Sequence, residues 1–576
     1  MKRCPQCNHV EPDDALSFCR VDGATLVTAP LTDSESTTAI FDTTAPSSES
    51  TTRNFAPHTN EGVSRTTGPT TALPSQHFPS HTRPLARSGR GRILLAVGGL
   101  IVVALGISAY FLLAGTPNKA ITSIAVLPFV DRSGNTDSEY ITDGLAESLI
   151  YRLSQLPNLK VSPTSSVMRY KGKEVDVHKI AADLGVDAVM SGRMVERGDN
   201  IMISVELIDA RNNRLLWGEQ FERKMSELMS MQREIATAVS QKLQIKLSGE
   251  ESTGLGKRYT TDNDAYRHYL KGRYYWNKRT AESVEKGIAQ FTTAVQKDPE
   301  FALAYAGLAD CYAILSVFVG QKWDENLPLA RSNALKATQL DSTLAEPHAT
   351  LGMLNHFEWR TADAEAEFKR AIDLNPNYAT AHHWYGLFLR AMGRNDEAWV
   401  QLNRAADIDP LSLVVLQNIA AIQIDRGNLD EAAGICKKLL DLEPGFWPGH
   451  QTLAIVSLKQ QHYDEALAEA QKSIELTQRS NDSLALLAHV YGRMGRRTEA
   501  ESVIKELQQK YAKQDADARD LAVAYAGLDQ KDQVFAWLEK SYQQHSHSMA
   551  VLRTEALLDS VKSDPRWNEL LKRVGV

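Results

Sequence analysis

Six alanines fall on one beat along the second half of the chain. Ala330, Ala364, Ala398, Ala432, Ala466 and Ala500 are each 34 residues apart, and Val534 extends the row. A second row, Gly352, Gly386, Ala420, Ala454 and Ala488, keeps the same period, and Pro376, Pro410 and Pro444 form a third, with Ser342 and Gln478 in register. Self-similarity at a fixed spacing of this size means one supersecondary unit repeated, each unable to bury its apolar face alone. Small residues let two helices cross closely. The bulky residue four places on, as in Ala364 to Phe368 and Ala398 to Leu402, lies on the same helix face. Gly393, Gly427 and Gly495 punctuate the turn inside each unit, and the prolines end the second helix. The pattern predicts a stack of helical hairpins.

The stretch AHHWYGLFLRAMGRNDEAWVQLNRAADIDP, Ala381 to Pro410, resembles the tetratricopeptide repeat. The resemblance covers 265–546, about eight repeats, with 547–576 expected to supply capping helices over the last hairpin. It implies a superhelix whose concave wall is built from the first helix of each repeat, where extended segments or helices bind. In register with the family, the groove positions are Met353, His356, His383, Leu387, Arg390, Gln417, Asn418, Ile424, Gln451 and Ile455. This wall holds few cations, which argues against a ligand that is the carboxylate tail of a chaperone. His382 and His383 are neighbours on a helix and point in different directions, so they make a poor metal pair. One irregularity stands out at Ser316–Pro328, where nine extra residues emerge at an edge of the stack; Trp323 within them is expected to pack over an adjacent helix.

The rest of the 576-residue chain is uneven in composition, which argues for several domains. A net charge of −7 gives no general argument for nucleic acid binding. Residues 1–23 carry a C-x2-C knuckle, Cys4 and Cys7, then Cys19 with Asp22 after a short interval. Two tight turns pinching one tetrahedral ion is the zinc-ribbon arrangement, so Cys4, Cys7, Cys19 and Asp22 are the candidate ligands of a structural zinc. His9 is a rival for the fourth position. The stretch looks like the short zinc ribbons at the N-termini of many bacterial membrane and signalling proteins, departing from them where Asp22 replaces a cysteine. Residues 24–92 are rich in Ser, Thr and Pro and cannot bury enough apolar surface to offset the entropy of ordering, which predicts a disordered tether.

Residues 93–115, ILLAVGGLIVVALGISAYFLLAG, contain no charge. As a helix they would span roughly 34 Å against a hydrocarbon core of about 30 Å. Arg83, Arg87, Arg90 and Arg92 crowd the N-terminal flank while Lys119 stands alone on the other. That asymmetry predicts a single-pass anchor in a bacterial cytoplasmic membrane, with the N-terminus inside and the C-terminal domains outside. Three of the five cysteines then lie in the reducing compartment. Cys311 and Cys436 are too far apart in the repeats to bridge, and Cys436 holds a bulky core position.

Residues 121–248 read as a compact α/β segment. SIAVLPF (Ser123–Phe129) is a buried strand, Tyr140–Leu156 a helix with Ile141, Leu145, Leu149 and Leu153 on one stripe, and LKVSP a second strand. VHKIAADLG is a short helix closed by Gly185, followed by strands at Ala188–Glu196, Ile201–Asp209 and Arg214–Phe221 and a helix over Met225–Leu247. The runs IAVLPF, DGLAESLIYRLSQLPNLKV, IAADLGVDAVMSGRM and VELIDARNNRLLW resemble the TolB N-terminal and FlgO-like domains. In relatives of that layout the domain sits between a membrane helix and repeats, and the cytoplasmic end often carries a cyclase, a kinase or a winged-helix DNA-binding module. Here the zinc ribbon takes that place. Residues 249–264 are expected to be a linker, with Gly254–Lys257 as a hinge.

No phosphate loop, H-E-x-x-H or kinase signature occurs, so no enzyme is expected. The chain is expected to be multidomain: zinc ribbon, one transmembrane helix, an α/β domain and an all-α repeat solenoid. Its function is read as a membrane-anchored protein-interaction scaffold whose groove takes a protein or peptide outside the cytoplasm. The alternative is a transmembrane signal receiver whose zinc ribbon contacts a cytoplasmic regulator or nucleic acid.

Overall fold

The structure is a computed structural model. It describes residues 120–576 apart from 134–138, 174–175, 246, 279 and 318–322, together with the short strands Lys2–Arg3, Val10–Glu11 and Val27–Thr28. The chain divides into two compact units, Met1–Gly99 and Leu100–Val576. In the first, Lys2–Arg3 pairs antiparallel with both Val10–Glu11 and Val27–Thr28. Cys4, Cys7, Cys19 and Asp22, the expected tether 24–92 apart from the strand Val27–Thr28, and the apolar segment 93–115 lie outside the described residues. Among the described residues no helix is long and apolar enough to cross a membrane, and no group of three or more His, Cys, Asp or Glu side chains is placed to hold a metal ion.

In the second unit the sheet runs in the order Lys160–Val161, Ser123–Val126, Ala188–Arg197, Asn200–Asp209 and Arg214–Lys224. The first three strands are parallel and the last two antiparallel. Along the strand expected at Ile201–Asp209 burial alternates: Ile201, Ile203, Val205 and Leu207 are buried while the residues between them are half-buried. The strand expected over Ser123–Phe129 is interrupted, because Pro128 has no N–H to give to the ladder. Pairing resumes at Val130–Asp131, beside Arg193 and Met194. Gly192 lies under the Phe129 ring, where any Cβ would come within 2.6 Å of it. The short helix Val177–Leu184 is capped at its start by Asp176 and closed by Gly185 in the left-handed conformation, as its sequence predicts.

Beyond the sheet, sixteen helices from Asn263–Asn277 to Lys531–Gln543 form eight hairpins among the described residues. The three sequence rows meet in space. Every member of the alanine row, with Val534, is fully buried. Gly352 faces the Phe368 ring, where a Cβ would sit 2.8 Å away, and Gly386 faces Leu402 at the same distance. Small residue on one helix and bulky residue on its partner are thus the two halves of one contact. The turn row is left-handed throughout: Gly393, Gly427 and Gly495 have φ of +75°, +80° and +76°, and Trp359, Gln461 and Asp529 take the same region at the same period.

The segment 249–264, expected as a linker, carries the helix Gly249–Leu255. Arg152, buried in the α/β domain, donates from one guanidinium nitrogen to the carbonyls of Leu255 (3.1 Å) and Lys257 (2.9 Å). The Tyr151 and Tyr259 rings meet edge to face. One hydrophobic core runs from Ile124 and Leu149 through Leu255, Ala265 and Leu270 to Phe291, Phe301 and Leu344. Gly144 lets the helix Glu139–Ser154 approach Leu270 closely, a Cβ there falling 3.0 Å from that side chain. Where composition suggests two bodies and a joint, apolar burial welds them into one.

Candidate functional site

The ten expected groove residues lie on first helices of the middle repeats, and none is exposed. Met353, His356, His383 and Ile424 are buried; Leu387, Arg390, Gln417, Asn418, Gln451 and Ile455 are half-buried. Two things cover them. The first is the repeat period itself, which turns polar positions into links between successive repeats. Arg390 pairs with Asp425, Gln417 donates to Thr452 (2.9 Å), Asn418 lies 3.1 Å from His383 and Gln451 donates to Ser483 (3.0 Å). Each satisfies a half-buried polar group with its counterpart about one repeat away.

The second is the chain's own C-terminal segment. Residues 547–576 do not simply cap the last hairpin. The 3-10 turns His547–Thr554 and Ala556–Val561 run back along the first-helix face to Glu346–Phe357 and Ala379–Ala391. Met549, Leu552 and Leu558 are fully buried, in a core shared with Leu484 and Leu521 of the later repeats and Trp567 of the closing helix. Arg390 donates to the Thr554 carbonyl (3.4 Å), Ala556 packs on the cluster that holds Ile424 and Ile455, and Lys459 pairs with Asp559. Trp323 begins the helix Trp323–Leu340; its ring stacks on His547 at 3.8 Å and meets Phe357 edge-on, so it packs as expected but on a distant segment. Trp359 stacks on His545, also at 3.8 Å.

Trp359 is the residue that sequence reasoning missed. It occupies the turn position filled by Gly393, Gly427 and Gly495 in three other repeats and by Gln461 and Asp529 in two, at φ +61°. A bulky side chain there is strained by roughly 1 kcal/mol or more, and its ring stacks on both His545 and Tyr542. A bulky aromatic residue in that turn row, where the other repeats carry Gly, Gln or Asp, was the available signal.

Three first-helix histidines play a structural part. His382 joins Gln401 (2.7 Å) and the Pro376 carbonyl (3.0 Å); His450 repeats this with Glu469 and Pro444, and His348 with Glu367. They tie each first helix to its own second helix. His356 differs: both ring nitrogens are buried without a hydrogen-bond partner, the ring edge-on to Phe388 at 5.4 Å, and burial pulls it down to about 4. Cys311 and Cys436 are free and buried, and burial pushes the Cys436 thiol up to about 12, an inert small hydrophobe rather than a nucleophile.

Similarity to known proteins follows the same division. Residues 119–238 match the family described as the second domain of HilA/YgeH-like transcriptional regulators, not the TolB N-terminal or FlgO-like domains expected from the motifs of that stretch. Residues 367–400 match a tetratricopeptide repeat, and 456–556 the N-terminal TPR repeats region of Psidin. The helical array is therefore built of tetratricopeptide repeats, a class that mediates protein–protein interaction. The chain is 30% identical over 247 residues to the putative adenylate cyclase 3 of Rhizobium meliloti (strain 1021), covering 42% of each. It is 25% identical over 274 residues to the transcriptional regulator HilA of Salmonella typhimurium, covering 45% of this chain and 46% of that one. The chain thus spans less than half the length of these curated relatives. Among solved structures it is similar to a thermophilic TPR protein of Thermus thermophilus, at 18% identity and a TM-score of 0.29, over 34% of this chain and 99% of that one.

Proposed function

We propose that this protein is a membrane-anchored signal receiver that works by protein–protein contact. Residues 93–115 anchor it in a bacterial cytoplasmic membrane, the zinc ribbon of residues 1–23 faces the cytoplasm, and the body beyond residue 120 stands outside it. Cys4, Cys7, Cys19 and Asp22 hold a structural zinc that pins the cytoplasmic head. The proposal carries no enzymatic step.

The observation that carries it is the filled first-helix face. A scaffold that cradles a peptide needs that face open, and here the turn His547–Thr554 of the same chain lies against Glu346–Phe357 and Ala379–Ala391. What remains is a body whose α/β domain and first repeats share one core, suited to passing a docking event to its anchor as a unit. The relatives are named a transcriptional regulator and a putative adenylate cyclase, two unlike outputs, which supports a receiving module coupled to different effectors.

Crosslinking and co-purification from membranes test this, with the full chain set against a chain lacking residues 1–90. Proteins that dock on the repeats are expected with both, and a cytoplasmic protein with the full chain alone. Identical sets from both chains, or a C-terminal reporter fusion active only in the cytosol, would overturn the proposal.

A further inference from the structure

A cavity of about 400 Å3 lies where the α/β domain meets the first four repeats. Its roof is the helix Glu139–Ser154 with the turn around Pro163, and its floor is the first-helix face of those repeats. The rings of Tyr151, Tyr259, Tyr266, Tyr269, Trp276 and Tyr378 line it. Sites for small organic ligands run from about 300 to 1,000 Å3, mostly apolar, with a few polar groups converging.

The polar groups are lopsided in charge. Glu147, Asp310, Glu346 and Asp409 face the cavity against one guanidinium, Arg273. Three of the carboxylates are committed within the protein. Glu147 takes Arg273 (2.6 Å) and Asn277 (2.8 Å), Asp310 accepts from Thr350 (2.7 Å), and Asp409 accepts from Ser165 and Ser166. Burial penalises the Arg273 charge, yet Glu147 and Asp310 outweigh it and hold its pKa above the ordinary value. Glu346 stands apart. Its Oε2 is closed off from bulk solvent and accepts no hydrogen bond, and burial pushes the carboxyl up to about 7. The aromatic walls already take cations: Arg152 lies 5.1 Å from the Tyr259 centroid and Arg273 4.3 Å from that of Trp276. Ring faces and a surplus of carboxylate both favour positive charge and repel anions.

We propose that this cavity binds a small organic ammonium ion with an apolar body, its N–H groups donating to Glu346 and its hydrocarbon part lying against Tyr151, Tyr269 and Tyr378. Such a ligand touches the α/β domain and the repeats at once, so it tightens the junction between them. The inference rests on the receiver reading for its purpose, as the signal received, but not for its chemistry. A titration tests the site, whereas the co-purification tests the receiver, and either can fail alone.

The experiment is calorimetric titration of the full chain in detergent micelles with three probes of one shape: phenethylammonium, phenethyl alcohol and phenylacetate. The ammonium is expected to bind about ten- to hundredfold more tightly than the alcohol, the span of one charge-assisted hydrogen bond, and phenylacetate more weakly still. Glu346→Gln, with folding checked by circular dichroism, is expected to lower ammonium affinity by a similar factor and leave the alcohol unchanged. No heat with the ammonium at millimolar concentration, equal affinity for ammonium and alcohol, or unchanged affinity in folded Glu346→Gln would overturn the proposal. The comparison between probes needs no variant, so it stands even where the substitution disturbs folding.

Discussion

His356 gives the most direct test of how the filled face is held. Its ring is buried, both nitrogens lack a partner, and burial lowers its pKa from 6.5 to about 4. Below pH 6.5 the unfolded chain binds a proton here that the folded chain refuses until about pH 4. A depressed folded value therefore contributes stability that is fully present above 6.5 and lost as pH falls towards 4. At about 1.4 kcal/mol per decade of proton affinity, the ring accounts for about 2 kcal/mol of lost stability at pH 5 and about 3 at pH 4. His356→Leu removes the titration and fills the site with a group that has no unmet nitrogen. It is expected to raise stability at pH 7.5 by about 1–3 kcal/mol and to cut the loss between pH 7.5 and pH 5 by about 2 kcal/mol. Urea unfolding followed by circular dichroism at the two pH values measures both. His383 and His489 are also lowered to about 4 by burial, so the parent keeps a residual acid sensitivity that the variant shares. A His356→Leu protein that is weaker at pH 7.5, or that loses as much stability at pH 5 as its parent, would refute the reasoning.

Trp359→Gly is expected to be more stable than Trp359→Ala by about 1 kcal/mol in thermal melts, because both lose the stack on His545 while only glycine relieves the left-handed backbone. Gly192→Ala should cost about 1–3 kcal/mol by driving a methyl into the Phe129 ring, with Phe129→Leu in the same chain recovering part of it. Arg152→Met should leave the Leu255 and Lys257 carbonyls without their donor, and limited proteolysis is expected to begin within residues 249–264, which the parent resists. Zinc titration of residues 1–30 is expected to give stoichiometric uptake that Cys19→Ser abolishes; no uptake by the parent peptide would end the proposed head.

Local pattern alone determined much of this protein. A period of 34 announced the hairpins, because each small residue and its bulky partner must recur wherever the same two helices cross, as Gly352 with Phe368 and Gly386 with Leu402 do. Alternation over Ile201–Leu207 and the Gly198 turn announced the hairpin of strands, since a pleated chain reads out its buried face every second residue. The groove positions were legible as first-helix residues, yet not as covered ones. What covers them is the segment His547–Val561, nearly 200 residues away along the chain from Phe357, whose carbonyl His547 meets at 3.2 Å. Nothing periodic in that segment encodes where it lands.

The weld at Arg152 and the cavity beside Glu346 belong to the same category. Helix and strand periods are properties of a few neighbouring residues, so they are written in the order of the chain. Which apolar faces meet is decided by burial summed over distant segments, and that sum exists only once the chain has closed on itself.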